Sequence, residues 1–392
     1  MKENRLENIL NNQINDQTCA YIDMHCDTLL RTVRYENETL YDGKGMQSLR
    51  QMQEAGQKCQ FFAVFFPPRE ELTREPFWER PDVKAVIAEA FPRERSSSSA
   101  LRPEQNVCHW QMATAADYAG FSESVSYGAD VEEKLWKILT QNLRREVSEH
   151  SDIIAMARTA SEIEENFRAG KMSAVLTIED GRMVNGNMER LIALREEGVC
   201  AIALTWNFAN CFGSPNSKDP AVMNTGLTSF GKEAVEVMND IGILIDVSHL
   251  SDGGFWDVVK LSKKPFVATH SNCRAISPHQ RNLTDEMIRV LAQRGGVSGL
   301  NFSPDFLSPD LTNQVTRVEL LADHVMHFIK IGGEDCVGLG TDFDGIEGSF
   351  EIGYPAQMYL LFEELSRRGL SQRQLDKIKS GNVLRVMREG IG

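Results

Sequence analysis

Six ionisable side chains stand at, or one or two residues beyond, the ends of short apolar runs. His25 and Asp27 follow YIDM, Glu179 follows SAVLTI, His249 follows ILIDVS, His270 follows FVAT and Asp342 follows VGLGT. Imidazoles and carboxylates gathered together are a metal-ligand set; they favour zinc, with manganese or another first-row ion as the alternative. In His25-Cys26-Asp27 the two ligand types are two residues apart, so strand alternation puts both on one face and turns Cys26 to the other. Each residue is weak evidence alone, because a strand-end carboxylate often caps the next helix and a lone histidine is usually a packing or surface residue. Their joint placement at strand ends is what points to chemistry.

Those ends need elements to hold them. Eight apolar runs, at 21–25, 60–66, 173–179, 200–205, 243–248, 266–270, 296–301 and 337–342, read as strands. Between them lie amphipathic stretches such as NMERLIALREEG, TSFGKEAVEVMNDIG, LTDEMIRVLAQRGG and VTRVELLADHVMHFIKIGG, with apolar residues at three-to-four spacing and a glycine stop. Near-continuous apolar strands alternating with helices signal a covered parallel sheet. Eight such units predict an α/β fold, a (β/α)8 TIM barrel, with a doubly wound open sheet as the alternative. In such a barrel the carboxyl ends of the strands form the active-site face. The Pro-, Ser- and charge-rich residues 67–130 read as an insertion after the second strand, with a mobile tip near Ser96 to Ser99 and room to act as a lid. The last forty residues read as extra helices on the barrel exterior, and residues 1–392 as one domain.

Composition narrows the function classes. A net charge of -14 over 392 residues argues against nucleic acid and against an anionic membrane surface. No run of 18 apolar residues could span a membrane, and the amino terminus has no apolar core of signal-peptide length; a cytoplasmic protein is the expectation. The eight cysteines are scattered without a C-x-x-C pair, which suggests free, mostly buried thiols.

Five blocks then carry a resemblance: HCD at the first strand, IEDG at the third, DVSHL at the fifth, ATHSNCRAISPHQRNLTDEM around the sixth and GLGTDFDG at the eighth. In order and spacing, from Tyr21 to Gly345, they resemble the renal (membrane) dipeptidase family of zinc dipeptidases, which has amidohydrolase-type barrels. The resemblance implies two zinc ions per chain, one held by His25 and Asp27, the other by His249 and His270, with Glu179 between them. It implies that Arg281, beside Asn282, holds the carboxylate of a dipeptide substrate, and that Asp342 is the acid/base that moves the proton. These roles are chemically coherent: two adjacent metals activate water and polarise a carbonyl, and a guanidinium fork grips a carboxylate through two hydrogen bonds. Dimers are common in the family, so a homodimer is a further expectation.

The chain departs from the family pattern at one position. Members with the mammalian pattern carry a histidine in an L-T-H run of the fourth strand; here the run is ALTWNFAN and Trp206 stands in its place. Tryptophan offers one N–H donor and no titratable proton, so Trp206 is expected to shape the pocket wall, with either its indole N–H or Asn207 donating to the substrate. Of the other histidines, His324 and His327 read as a helix surface, His109 and His150 as solvated, and His279 as close to the mouth. Asp344 either orients Asp342 or has no role in the site. Two alternatives stay open: hydrolysis of lactones, cyclic amides or N-acyl amino acids on the same metals, and a non-catalytic binding barrel.

Overall fold

The computed structural model describes residues 20–72, 78–91, 128–310 and 312–392. Eight parallel strands close into a barrel: β1 (Ile22–Asp23), β2 (Cys59–Val64), β3 (Met172–Ile178), β4 (Val199–Ala203), β5 (Leu244–Asp246), β6 (Val267–Ala268), β7 (Val297–Leu300) and β8 (Val337–Leu339). They run in the order β2-β1-β8-β7-β6-β5-β4-β3, and β2 pairs with β3 to seal the ring, with Cys59 opposite Ser173 and Val64 opposite Ile178. Every expected strand is present, each stopping one to three residues before its expected carboxyl end, where the chain turns into site loops. The open sheet is thereby excluded.

The helices form where the sequence places their signals. Thr228 caps Ser229–Ile241 by accepting from the Gly231 N–H, and Gly242 ends that helix at φ 76°. Thr284 caps Asp285–Gln293 in the same way, through the Met287 N–H. Each helix lays one apolar stripe on the strands, and the strand residues facing them are buried.

Three features differ from expectation. A short strand, Ile154–Met156, pairs with the start of β3 before β4 takes over that edge at Leu176. A two-stranded ribbon, Val315–Thr316 with Ser349–Phe350, lies outside the barrel. The final helix, Asn382–Gly390, does not sit on the exterior: Val383, Val386 and Met387 share a core cluster with Ile22, Cys59, Leu244, Val267 and Val297, the first residues of five strands. It therefore plugs the amino-terminal mouth, leaving the carboxyl mouth for the site.

The segment after β2 includes helices Arg69–Leu72 and Pro81–Ala90, followed by the long helix Ala129–Glu149. Ser96 to Ser99, His109, Cys19 and Cys108 lie outside the described residues. The other six cysteines are free, five of them buried. Among the described residues no helix is long and apolar enough to cross a membrane.

Candidate active site

The barrel brings the six strand-end residues to one place, all of them buried. His25 Nε2 lies 3.6 Å from Asp27 Oδ2, 3.7 Å from Glu179 Oε2 and 3.7 Å from Asp342 Oδ1. The other oxygen of Glu179, Oε1, lies 3.0 Å from His249 Nε2 and 3.5 Å from His270 Nε2. Glu179 thus faces a carboxylate-rich group on one side and an imidazole pair on the other. The His25 and His270 rings stack with centroids 3.8 Å apart, which closes the two groups into one cluster.

Two clasps aim these residues. Asp23, on β1, accepts from the Thr341 N–H (2.9 Å), the Thr341 hydroxyl (2.6 Å) and the His25 N–H (3.3 Å). Asp246, on β5, accepts from the Ser248 N–H (2.8 Å), the Thr269 N–H (2.9 Å) and the Thr269 hydroxyl. Each clasp ties a strand to its neighbour one residue before a site residue, Asp342 or His270. Asn301, at the end of β7, donates to Asp342 Oδ2 at 2.9 Å. His249 and Asp342 themselves hold positive φ, 66° and 64°, a conformation that costs a non-glycine residue energy and recurs at functional sites. A Cβ at Gly345 would collide with the carboxylates of Asp27 and Asp342, so only glycine lets the chain pass here.

The electrostatics divide the cluster. Burial pushes the His25 imidazolium down, but Glu179, Asp27 and Asp342 outweigh it and raise its pKa to about 10. Burial, with Asp27 nearby, lifts Asp342 to about 7 and Glu179 well above the carboxylate range. His249 and His270 go the other way, held neutral by burial and by the charges of Arg281 and His25. The carboxylates thus draw a positive charge onto His25, the charge that a metal ion would supply.

The donor set fits a metal on its own hydrogen bonding. His249 Nδ1 lies 3.1 Å from Asn207 Oδ1, which can only accept. His270 Nδ1 lies 2.8 Å from Thr269 Oγ1, whose own proton goes to Asp246. Both rings therefore carry their proton on Nδ1, and their Nε2 lone pairs face each other 2.9 Å apart. Two lone pairs at that distance repel unless a cation sits against them. His25 Nε2 and Asp27 Oδ1 are likewise buried without a hydrogen-bond partner. The ligand atoms of His25, Glu179 and His270, and those of His25, Asp27 and Asp342, lie within 4.8 Å of one another.

Around this centre the other candidates separate. Arg281 is buried; its fork makes only long bonds, 3.4 Å to Ser271 Oγ and 3.3 Å to the His270 carbonyl, and its Nε has no partner. Asn282 spends its side chain on the loop instead: Nδ2 donates to the Ser277 and Phe306 carbonyls, both at 2.9 Å, and Oδ1 accepts from the Asn272 N–H. Trp206 joins the site wall, with ring centroids 4.8 Å from Phe65, 5.4 Å from Phe208 and 6.2 Å from His249.

His324 is not a surface residue but fully buried, its Nδ1 accepting from the Cys273 N–H and its Nε2 donating to the Leu307 carbonyl. His327 pairs with Asp285 at 2.7 Å, and His150 stacks on Tyr41 at 4.2 Å where solvation was expected. His279 packs on Phe306 and accepts from the Arg281 N–H. Asp344 does not orient Asp342: it accepts from the Thr28 hydroxyl and the Met46 N–H, both at 2.7 Å. Sequence reasoning missed Asp23, Asp246, Thr269, Thr341 and Asn301. Their signal was a carboxylate inside an apolar run, a threonine directly before His270 and Asp342, and an Asn ending the seventh strand.

Comparison with known proteins places this geometry. The family model for membrane dipeptidase (peptidase family M19) matches residues 12–390. An uncharacterized protein from the pqqA 5′ region of Klebsiella pneumoniae is 36% identical over 258 residues, 65% of this chain and 95% of that protein. Dipeptidase verJ of Clonostachys rogersoniana is 32% identical over 246 residues, 62% of this chain and 61% of that enzyme. Among solved structures, the dipeptidase AC, a metallo peptidase of family M19, is 27% identical with a TM-score of 0.75, covering 96% of this chain and 99% of that one. A metallo peptidase from Rhodobacter sphaeroides, liganded with a phosphinate mimic of the dipeptide L-Ala-D-Ala, is 25% identical with a TM-score of 0.74, covering 95% and 99%. With nearly its whole length inside the match, this chain belongs to the membrane dipeptidase family, peptidase family M19, and is a metal-dependent dipeptidase.

Proposed function

We propose that the chain is a binuclear zinc dipeptidase that cleaves dipeptides bearing a free carboxyl-terminal carboxylate. The observation that carries this is the position of Glu179, one oxygen toward His25 and the other toward His249 and His270. His25 and Asp27 would hold one ion, His249 and His270 the second, and Glu179 would reach both. Bound there, zinc supplies a Lewis acid for the scissile carbonyl and makes water acidic near neutral pH.

The chain's own groups do the rest. Asp342 accepts the proton of the attacking water on the oxygen that faces the cluster, while Asn301 holds its other oxygen. The same carboxyl group then returns the proton to the departing amine. The Arg281 fork, with its Nε unpartnered, takes the substrate carboxylate and so limits the substrate to one residue beyond the scissile bond. Trp206, Phe65 and Phe208 form an apolar wall beside His249, where the family's histidine would have offered a polar contact.

The test is to purify the chain without chelator, quantify its zinc, and assay L,L- and L,D-dipeptides with and without chelator and with their C-terminal amides. The relative solved with an L-Ala-D-Ala mimic puts L,D-dipeptides on that panel. Two zinc ions per chain and chelator-sensitive cleavage of free dipeptides but not amides are expected. One ion at full activity would remove the binuclear part, and equal cleavage of amides would remove the role of Arg281.

A further inference from the structure

We propose that Asp246 and Thr269 form a hydroxyl relay that fixes the tautomer of His270, making them positioning residues for one metal ligand. The inference rests on His270 being such a ligand.

The three groups form a buried chain, 3%, 2% and 0% exposed. Asp246 Oδ1 is occupied by two backbone N–H groups, from Ser248 and Thr269. That leaves Oδ2 as the acceptor of the Thr269 hydroxyl proton. With its one proton committed, Thr269 Oγ1 faces His270 Nδ1 at 2.8 Å only as an acceptor. The imidazole proton is thereby pinned on Nδ1 and the Nε2 lone pair is left toward Glu179 and His249. A carboxylate behind a ligating histidine is a common way to fix a ring and raise its basicity; here a threonine hydroxyl is interposed. The His270 N–H also donates to Ser248 Oγ, so the backbone is held by the same turn. Glycine at 299 and 340 leaves room for the Thr269 carbonyl, where a Cβ at either position would collide.

The twin clasp supplies the contrast. Asp23 grips Thr341 with the same three kinds of hydrogen bond, yet Thr341 Oγ1 accepts from the Phe343 N–H and the next residue is Asp342, not an imidazole. His249, the other ring of the pair, has only the half-buried amide of Asn207 at its Nδ1. Of the described rings in the cluster, His270 is the one given a buried carboxylate behind a hydroxyl.

The experiment is a zinc titration of the full chain, stripped and reloaded against a chromophoric chelator, for wild type, T269V, T269S, T341V and H270A. Thr269→Val should weaken one of the two zinc affinities roughly 10-fold to 100-fold. Thr269→Ser, which keeps the hydroxyl, should restore it to within about threefold, and Thr341→Val, which breaks the other clasp, should leave the Nδ1–H of His270 protected from exchange. In zinc-loaded protein labelled with 15N-histidine, the Nδ1–H signal of His270 should be present in wild type and T269S. It should lose its protection from exchange in T269V. Zinc affinities unchanged in T269V, or a T269S variant as weak as T269V, would overturn the relay while leaving His270 a ligand. An H270A variant that keeps both affinities would overturn the ligand assignment itself.

Discussion

The two sides of the strand-end cluster are built on one backbone device and filled with opposite chemistry. On the β1–β8 side, the Asp23–Thr341 clasp presents Asp342 beside His25 and Asp27, and the carboxylates draw a proton onto the single imidazole. On the β5–β6 side, the Asp246–Thr269 clasp presents His270 beside His249, and both rings are driven neutral. A buried aspartate that gathers two N–H groups and a hydroxyl therefore sets where a strand ends; it does not set what the strand end carries. Glu179 is what makes the sides one site, because burial and its like-charged neighbours leave it acceptable only where cations sit beside it.

The comparison can be broken at its middle. Glu179→Ala removes the group shared by both sides, so the zinc content should fall and activity should drop on the order of 10⁴-fold or more; metal analysis alongside the dipeptide assay checks both. Asp342→Asn should strike only the β1–β8 side. Loss of its proton transfer should lower kcat by roughly 10²-fold to 10⁴-fold with zinc content unchanged, and a loss of zinc would mean that Asp342 is itself a ligand.

The β6 side can be probed through the loop that follows it. Arg281→Met should cost about 1.5–3 kcal/mol of charged hydrogen bonding, seen mainly as a higher KM for free dipeptides. Behind it, Arg274 holds Asp252 through two bonds of 2.7 and 2.8 Å and reaches the carbonyls of Asn282 and Gln280. Arg274→Met should therefore raise KM less, on the order of tenfold, by letting Arg281 drift.

The smallest effect on activity and the clearest on stability belongs to His324, which ties the same loop to Leu307. Burial lowers its pKa from 6.5 to about 4. The unfolded chain then binds a proton that the folded chain refuses, so the stabilisation is full above pH 6.5 and is lost as pH falls toward 4. About 3 kcal/mol is at stake. Urea unfolding between pH 7 and pH 4 should show a shallower pH slope in His324→Asn than in wild type.

Much of this was legible in the residues. The eight strands are apolar runs of the right length, and site residues at their ends follow from the barrel rule once the alternation is seen. The clasps were not legible, because Asp23 and Asp246 look like polar interruptions of YIDM and ILIDV, and their partners lie 318 and 23 residues away. His324 was misplaced for a related reason. Its helix is amphipathic, and which polar position turns inward depends on the neighbour that accepts it, here the Cys273 N–H and the Leu307 carbonyl. Asn282 sits beside Arg281 in sequence, yet the loop turns the one side chain into its own scaffold and leaves the other's Nε without a partner.

By itself, then, the sequence determined the barrel and which residue types reach its carboxyl mouth, because hydrophobic periodicity and strand order are local properties of the chain. Only the tertiary structure decided which imidazole nitrogen faces the centre, which carboxylates clasp and which face the cluster. Those choices are made by hydrogen bonds between strands far apart in sequence, and a buried polar group must find its partner wherever the fold has brought one.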